Sequence, residues 1–228
     1  MKKFELTTEF ITNALGKKLF RIKALVEFGS VKAGELGGYA EKEENISQDG
    51  NAWVSGDARV YGNAWVSGDA RVYGDAWVHG NAKVFGNAEV SGDARVYGDA
   101  KVSDNAKVFG NAEVYGDAKV SDNAKVFGNA KVYGNARVYG NAWVSGDARV
   151  SGDADYALVQ GFGTEFRCTT FYRGKNKKIM VNCGCFHGDL EGFRKQVKET
   201  RNGKIAKEYL MIADLMEYHF TSEDSSNE

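Results

Sequence analysis

GNAWVSGDARVYGNAWVSGDARVYG, residues 50–74, begins a run of seventeen consecutive six-residue units that ends at Ser151 without an insertion or deletion. Each unit has the form Gly-Asp/Asn-Ala-x-Val-x, except that Asp104 and Asp122 replace the leading glycine of their units. Valine recurs at every sixth position from Val54 to Val150. A fixed period over this length predicts one short structural unit stacked on copies of itself.

The unit itself predicts a strand and a corner. Ala and Val stand two residues apart, so both point to one side of an extended strand, and the two x residues point to the other side. Gly-Asn or Gly-Asp supplies the corner, because these residues adopt positive φ at low cost. We expect strands of about four residues with Ala and Val inside. Helical spacing is absent, and glycine at every sixth position without proline excludes collagen.

Residues 36–155 resemble the hexapeptide-repeat proteins, whose left-handed parallel β-helix uses three hexapeptides for each triangular coil. The resemblance implies an all-β solenoid with eighteen residues per coil. Proteins of this family commonly hide one face by trimerisation, so it also implies a homo-oligomer, with a trimer favoured. Gly34-Glu35-Leu36-Gly37-Gly38 and the Cys-Gly-Cys-Phe stretch at 183–186 are similar to bacterial, phage and prophage members often labelled transferases on fold grounds.

The non-repetitive segments are expected to cap the ends of the solenoid, as repeat proteins require. The predicted organisation is an N-terminal β-hairpin cap at 1–35, the β-helix at 36–155, a small α+β domain at 156–220 and a disordered tail at 221–228. The hairpin strands are predicted at Phe4–Phe10 and Lys18–Leu25, around the turn at residues 13–16. An irregular first coil is expected from Gly34 to Ile46.

The C-terminal domain has a different pattern, with strands predicted at Tyr156–Val159, Phe166–Tyr172 and Lys178–Cys183. Asp189 is a predicted N-cap for a first helix. The apolar face of that helix carries Leu190, Phe193 and Val197. The apolar stripe predicted for the second helix contains Ile205, Leu210, Ile212, Leu215, Met216 and Phe220.

Composition limits the function classes. The 228 residues carry 30 basic and 31 acidic side chains, a net charge of −1, so global charge implies neither a nucleic-acid nor a membrane partner. No apolar run is long enough to span a bilayer, and the N-terminus lacks the apolar core of a signal peptide. Three cysteines fit a reducing compartment. We expect a cytoplasmic protein, in the host cytoplasm if it is phage-encoded.

Every third unit falls on the same face of the predicted prism, which sorts the outward side chains into three faces. The second face, which includes Arg59 and Tyr61, carries a row of aromatic residues with interleaved cations. Its candidate binding residues are Arg59, Tyr61, Trp77, His79, Arg95, Tyr97, Tyr115, Lys131 and Tyr133. Such a row fits cross-strand packing that stabilises the sheet, a protein–protein interface, or stacking on a nucleotide or nucleic acid.

The third face carries a basic row formed by Lys83, Lys101, Lys119 and Arg137. Like charges one strand apart repel, so the row indicates either a solvated face or a face that binds an anion. Asp104 and Asp122 lie at the same corner of successive coils. Either the two aspartates adopt the positive φ that glycine has in the other units, or their side chains bind a hard cation such as calcium.

Catalytic candidates are few. Hexapeptide-repeat acyltransferases use a histidine as general base, and His79 is the one histidine in the repeat. A base needs an orienting carboxylate and a pocket. No loop interrupts the coils, so we expect no pocket and no enzymatic activity, with an acyltransferase as the alternative. A carbonic-anhydrase zinc site needs three histidines together, and His187 and His219 lie outside the repeat.

Cys168, Cys183, Cys185 and His187 form a weak candidate zinc set, against which buried, inert thiols are the alternative. Neither a dinucleotide nor a P-loop phosphate motif occurs, and no cofactor is predicted. The sequence therefore favours a non-enzymatic binding scaffold. Its partner would be a protein, a second copy of itself, or an anionic small molecule or nucleotide. The phage resemblance would direct it at a host factor such as a defence component, and a structural or virion spacer is the remaining alternative.

Overall fold

The computed structural model describes residues 1–175 and 177–221, and its centre is a parallel β-solenoid. The repeat forms strands of two residues, each consisting of an x residue and the valine after it. On the first face these strands are β4 (Trp53–Val54), β7 (Arg71–Val72), β10 (Glu89–Val90), β13 (Lys107–Val108), β16 (Lys125–Val126) and β19 (Trp143–Val144). On the second face they are β5 (Arg59–Val60), β8 (Trp77–Val78), β11 (Arg95–Val96), β14 (Glu113–Val114), β17 (Lys131–Val132) and β20 (Arg149–Val150). On the third face they are β6 (Trp65–Val66), β9 (Lys83–Val84), β12 (Lys101–Val102), β15 (Lys119–Val120) and β18 (Arg137–Val138).

Each strand pairs in parallel with the strand eighteen residues away, as in the pairing of Glu89 with Arg71 and Lys107. The predicted solenoid and its sorting into three faces are thereby confirmed. The strands are shorter than the predicted four residues because alanine already lies at the edge of the corner. The alanines and valines of the repeat are at most 1% exposed and form one continuous core through all coils.

The N-terminal segment extends the sheet of the second face. Strands β1 (Phe4–Thr12) and β2 (Lys18–Ala24) form the predicted antiparallel hairpin. Strand β2 pairs antiparallel with β3 (Leu36–Ala40), which pairs in parallel with β5 of the repeat. A 3₁₀ turn at Glu43–Asn45 follows β3. The two hairpin strands and β3 therefore add three strands to one sheet of the solenoid, with β3 against the first coil.

The C-terminal segment forms a separate antiparallel sheet against the other end of the solenoid. After a 3₁₀ turn at Asp153–Asp155, the sheet contains β21 (Tyr156–Phe162), β22 (Arg167–Arg173), β23 (Ile179–Cys183) and β24 (Phe186–Asp189) in sequential order. Tyr156 and Tyr172 pack into the solenoid core. Strand β24 was not predicted from the sequence.

Two helices cover the opposite side of this sheet. In α1 (Leu190–Thr200), the Asp189 carboxylate accepts a hydrogen bond from the Gly192 amide at 2.9 Å, which confirms the predicted N-cap. The predicted apolar face of α1 is buried. In α2 (Gly203–Thr221), however, Leu215 is 58% exposed, so its placement in the buried stripe was wrong. Tyr209 and Ala213 occupy the buried side, because Leu215 lies more than a quarter turn around the helix from them.

Of the predicted disordered tail, residues 222–228 lie outside the described residues. Within the described residues, no helix is long and apolar enough to cross a membrane.

Candidate functional site

The second face carries an aromatic ladder, defined as Tyr61, His79, Tyr97, Tyr115 and Tyr133. Neighbouring rings are parallel within 10° and their centroids are 4.8 to 5.2 Å apart. Their spacing follows the rung spacing of the sheet, about 4.8 Å. The structure therefore brings the predicted row together as a continuous stack. Tyr61 is buried against Leu19 and Tyr39 of the N-terminal segment, and the other four members are half-buried.

The charged groups beside the ladder mostly contact partners on their own face. The guanidinium groups of Arg59 and Arg95 lie 5.0 and 5.2 Å from the ring centroid of Trp77, on either side of it in the stack. Lys131 forms a 2.8 Å salt bridge with Glu113. Arg59 keeps one unsatisfied group, a buried Nε with no hydrogen-bond partner among the described residues. The contacts favour the interpretation of this row as packing that stabilises the sheet.

Glu113 links the ladder to these charges, because its carboxylate also accepts a hydrogen bond from the Tyr97 hydroxyl at 3.0 Å. Partial burial alone raises the pKa of Glu113, but the hydrogen bonds from Lys131 and Tyr97 outweigh it and the pKa lies below its ordinary value. Burial, together with the hydrogen bond to Glu113, raises the pKa of Tyr97. Glu113 is therefore ionised, and Tyr97 protonated, at neutral pH.

His79 lacks the surroundings of a general base. Its ring is stacked between Tyr61 and Tyr97, and its side chain has no hydrogen-bond partner among the described residues. Burial, followed by the charge of Arg95, lowers its pKa. Glu89, which is close to His79 in the sequence, lies on a different face and forms a salt bridge with Lys107, so it does not orient the His79 ring. Without an orienting carboxylate, the geometry gives no support to His79 as a catalytic base.

The third face places the basic row in register on four consecutive strands, with Lys83, Lys101, Lys119 and Arg137 paired in sequence. All four side chains are exposed. Among the residues that the structure describes, none of the four has a carboxylate within salt-bridge distance. The row borders an open groove of about 630 Å³, whose other wall is the corner column Asn81, Asp99, Asp117 and Asn135.

The candidate zinc residues are not brought together. The Cys168 thiol donates to the carbonyl of Asn141 at 3.4 Å, whereas the Cys183 sulfur accepts from the Thr169 hydroxyl at 3.1 Å. Cys185 is exposed. In the described part of the chain, no three His, Cys, Asp or Glu side chains are grouped as metal ligands. The geometry of the described residues therefore gives the zinc hypothesis no support.

His187 belongs instead to a polar cluster at the junction with the solenoid. Its Nδ1 lies 2.5 Å from Asn182 Oδ1, and Asn182 Nδ2 donates to the Trp143 carbonyl at 2.8 Å. The hydroxyls of Ser145 and Tyr172 each lie 3.4 Å from His187 Nδ1 and 3.3 Å from each other. These contacts hold the C-terminal sheet on the last coil.

Asp104 and Asp122 occupy a corner where glycine stands in the other coils. Their φ angles are +60° and +56°, which confirms that they serve the corner in the left-handed conformation. Asp104 accepts from the Ser103 hydroxyl at 2.7 Å, and Asp122 accepts from the Gly140 amide at 2.8 Å. With these local partners the two aspartates form hydrogen-bonded corners, and these contacts favour the structural interpretation.

One feature that the sequence did not predict is a groove of about 750 Å³ on the first face. The coils contain no loop, but the segment at residues 25–35 projects over the first coils and supplies one wall. The groove residues are Gly29, Ser30, Val31, Glu35, Asn51, Trp53, Ser55, Asp69, Arg71, Tyr73, Asn87 and Glu89. The expectation that no loop builds a pocket was wrong, because the loop precedes the repeat rather than interrupting it. We call this feature the overhang groove.

A family model described as the YdcK β-solenoid repeat matches residues 52–68, 64–80 and 130–146, all within the repeat. The matched stretches cover a minor part of the chain, and they show that the repeat is similar to that solenoid. No curated protein is similar enough to the chain to count as a match. The family match agrees with the β-solenoid architecture seen in the structure and carries no activity or partner with it.

Proposed function

We propose that the chain is a non-enzymatic binding scaffold whose basic row on the third face binds an acidic protein surface. The observation that carries the proposal is the set of four exposed cations on consecutive strands with no carboxylate in salt-bridge distance among the described residues. Several cations on the other two faces have carboxylate partners, as in Lys107 with Glu89 and Lys131 with Glu113. The third face differs in that four cations without a carboxylate partner follow one another in a single row.

Electrostatics favours a partner at this row. Two unit charges about 5 Å apart repel by roughly 1 kcal/mol in water, and by more where one side is protein. A partner that brings carboxylates to the row removes this repulsion and adds charge-assisted hydrogen bonds. Asp99 and Asp117 line the same groove, so a continuous polyanion such as nucleic acid would meet repulsion at the two middle steps of the row. Carboxylates fixed on a protein surface can lie opposite the cations and away from these two aspartates.

The required spacing indicates a second β-solenoid as the first partner to test. A column of carboxylates at the rung period of about 4.8 Å would match the row one to one. The chain has a column of three such carboxylates, Asp57, Asp75 and Asp93, which lie at one corner of three successive coils and are exposed, enough for three of the four cations. Asp57 also lies 3.9 Å from the Arg21 guanidinium. Contact between this column and the basic row of another copy would be heterologous, and it forms a closed trimer, as the resemblance implies, when rotation alone relates the copies.

The test is the oligomeric state and partner capture of the intact protein. We expect wild type to associate, or to retain an acidic partner from host lysate, in a manner that weakens with salt. Lys101→Glu with Lys119→Glu should abolish the association. The matched control is Lys198→Glu with Lys207→Glu, which reverses two exposed charges on the C-terminal helices and should leave it intact.

Two results would overturn the assignment. A monomer that retains no protein sensitive to the third-face change would favour a structural spacer. Loss of binding in Tyr97→Ala with Tyr115→Ala, but not in the third-face variant, would move the site to the aromatic ladder. The identity of a captured protein also tests the narrower hypothesis of a host-directed, phage-encoded role, for which a defence component is the expected partner.

A further inference from the structure

The overhang groove is a built site with a fixed wall. Phe28 packs edge-to-face on Trp53, with ring centroids 5.4 Å apart, and the Lys3 ammonium lies 4.8 Å from the centre of the Phe28 ring. Phe28 and Val31 form a β-bridge that closes the tip of the overhanging segment. The groove volume of about 750 Å³ lies within the range typical of small-molecule sites.

Arg71 provides an unused cation in this groove. It pairs in register with Trp53 on one side and with Glu89 on the other. The Glu89 carboxylate binds Lys107 at 3.0 Å, so it does not neutralise Arg71. Among the described residues, Arg71 has no salt bridge, side-chain hydrogen bond or ring contact, although it is exposed. A guanidinium left in this state is suited to bidentate binding of a carboxylate.

The other walls of the groove supply acceptors. Glu35 uses one carboxylate oxygen to accept from the Lys32 amide, and Asp69 uses one to accept from Asn51. In each carboxylate the second oxygen has no hydrogen bond among the described residues. The indole N–H of Trp53 is buried and likewise has no acceptor there. One groove is therefore lined by a guanidinium without a carboxylate partner, by two carboxylates with a free oxygen and by an indole N–H without an acceptor, as in a ligand site.

We infer that the overhang groove binds a small zwitterion of the amino-acid and short-peptide class, independently of the partner proposed for the third face. The ligand carboxylate binds the Arg71 guanidinium, and its ammonium group binds the carboxylates of Glu35 and Asp69. Tyr73, Ser30 and Asn87 line the rest of the groove and can contact the polar parts of a side chain.

The test uses thermal denaturation and calorimetry of the intact protein with the twenty L-amino acids and with L-alanyl-L-alanine. At least one probe should raise the melting temperature and bind measurably. For that probe, the C-terminal amide and the N-acetyl derivative should each bind about tenfold or more weakly, because each lacks one of the two charges. A stronger response to the dipeptide than to any amino acid would identify peptides as the natural class.

Variants assign the site. Arg71→Gln should weaken the binding about tenfold or more without changing the melting temperature of the ligand-free protein, since Arg71 makes no contact that folding uses. The matched control is Arg201→Gln, an exposed arginine of the C-terminal segment outside both proposed sites, and it should bind like wild type. The inference fails if no probe binds, if the amide or acetyl derivative binds as well as the zwitterion, or if Arg71→Gln leaves the affinity unchanged.

Discussion

The two ends of the solenoid have opposite hydrogen-bonding chemistry and are covered by opposite kinds of group. Along the repeat, the amides of the two x positions and of the Asp or Asn donate to carbonyls of the following coil, as from Trp53 to Ala70, Ser55 to Val72 and Asp57 to Gly74. The first coil is therefore left with unpaired carbonyls and the last coil with unpaired amides. At the N-terminal end, side-chain donors cover the carbonyls: Lys3 Nζ contacts Gly50 and Ala52.

Asn45 completes the N-terminal cover, because its Nδ2 donates to the carbonyls of Gly62 and Ala64 at 3.1 and 2.9 Å. At the C-terminal end, side-chain acceptors form hydrogen bonds with the unpaired amides of the last coil. The Trp143 amide donates to Thr170 Oγ1 at 3.0 Å, and the Arg137 amide donates to Asp153 at 2.9 Å. The difference shows that a β-solenoid needs two chemically different caps. Without a cap, an unpaired strand edge can form hydrogen bonds with the strand edge of another chain.

The largest expected effect follows from removing both caps. A chain reduced to residues 49–152 exposes carbonyls at one end and amides at the other, so copies should stack end to end into fibres one solenoid wide. Electron microscopy and light scattering measure this. When only one cap is removed, every molecule exposes the same kind of end, and two identical ends cannot pair. Each single deletion should therefore not polymerise. A mixture of the two deletions should give a heterodimer. A double deletion that stays monomeric and β-rich would contradict the complementarity of the ends.

The next effect concerns the N-terminal cover. Asn45→Leu removes the donors for two carbonyls at a fully buried position, and we expect a loss of about 2–4 kcal/mol in the free energy of unfolding. Asn135→Leu is the control, an exposed asparagine at a corner of the repeat, and should change stability by less than about 0.5 kcal/mol. Urea denaturation measures both. Equal effects would show that the Asn45 bonds do not secure the first coil.

The third effect is a pH dependence carried by Lys3. Burial, opposed in part by Asp49 and Asp69, lowers its pKa from 10.5 to about 8. Between pH 8 and pH 10.5 the unfolded chain therefore binds more protons than the folded chain. The free energy of unfolding contributed by Lys3 rises with pH across this window and is smaller below it. The expected size is about 1–3 kcal/mol.

Unfolding curves of wild type and Lys3→Met at pH 7.5 and 9.5 isolate this term, because tyrosines that titrate at high pH are common to both proteins. The stability advantage of wild type over the variant should grow with pH. An advantage that is constant, or that shrinks, would mean that Lys3 is not desolvated under the N-terminal segment.

The smallest effect tests the C-terminal cover. Thr170→Val keeps the shape of a side chain that is 1% exposed but removes the acceptor of the Trp143 amide, and it should cost about 1 kcal/mol. The loss is smaller than at Asn45 because one neutral hydrogen bond is removed instead of two. Thr164→Val, at an exposed position, is the control. A cost equal to that of Asn45→Leu would make the two ends energetically alike.

The sequence predicted the solenoid, its three faces and the aromatic ladder because each of these follows from a constant separation of eighteen residues. It also predicted the hairpin, the N-cap at Asp189 and the positive φ of Asp104 and Asp122, since these depend on neighbouring residues. It missed strand β24, the exposure of Leu215 and the overhang groove. Each of those depends on how a non-repetitive segment packs on another element, which no local pattern encodes.

The sequence by itself determined which side chains of the repeat face inward, which share a face and where the chain turns. Only the tertiary structure decided which charges find partners and which groups close the ends. Glu89 stands between two cations on its face, and the sequence does not show that it binds Lys107 and leaves Arg71 unpaired. Lys3 reaches a carbonyl 49 residues away, and Thr170 an amide 27 residues away. Contacts of this kind have no period, so only the folded chain reveals them.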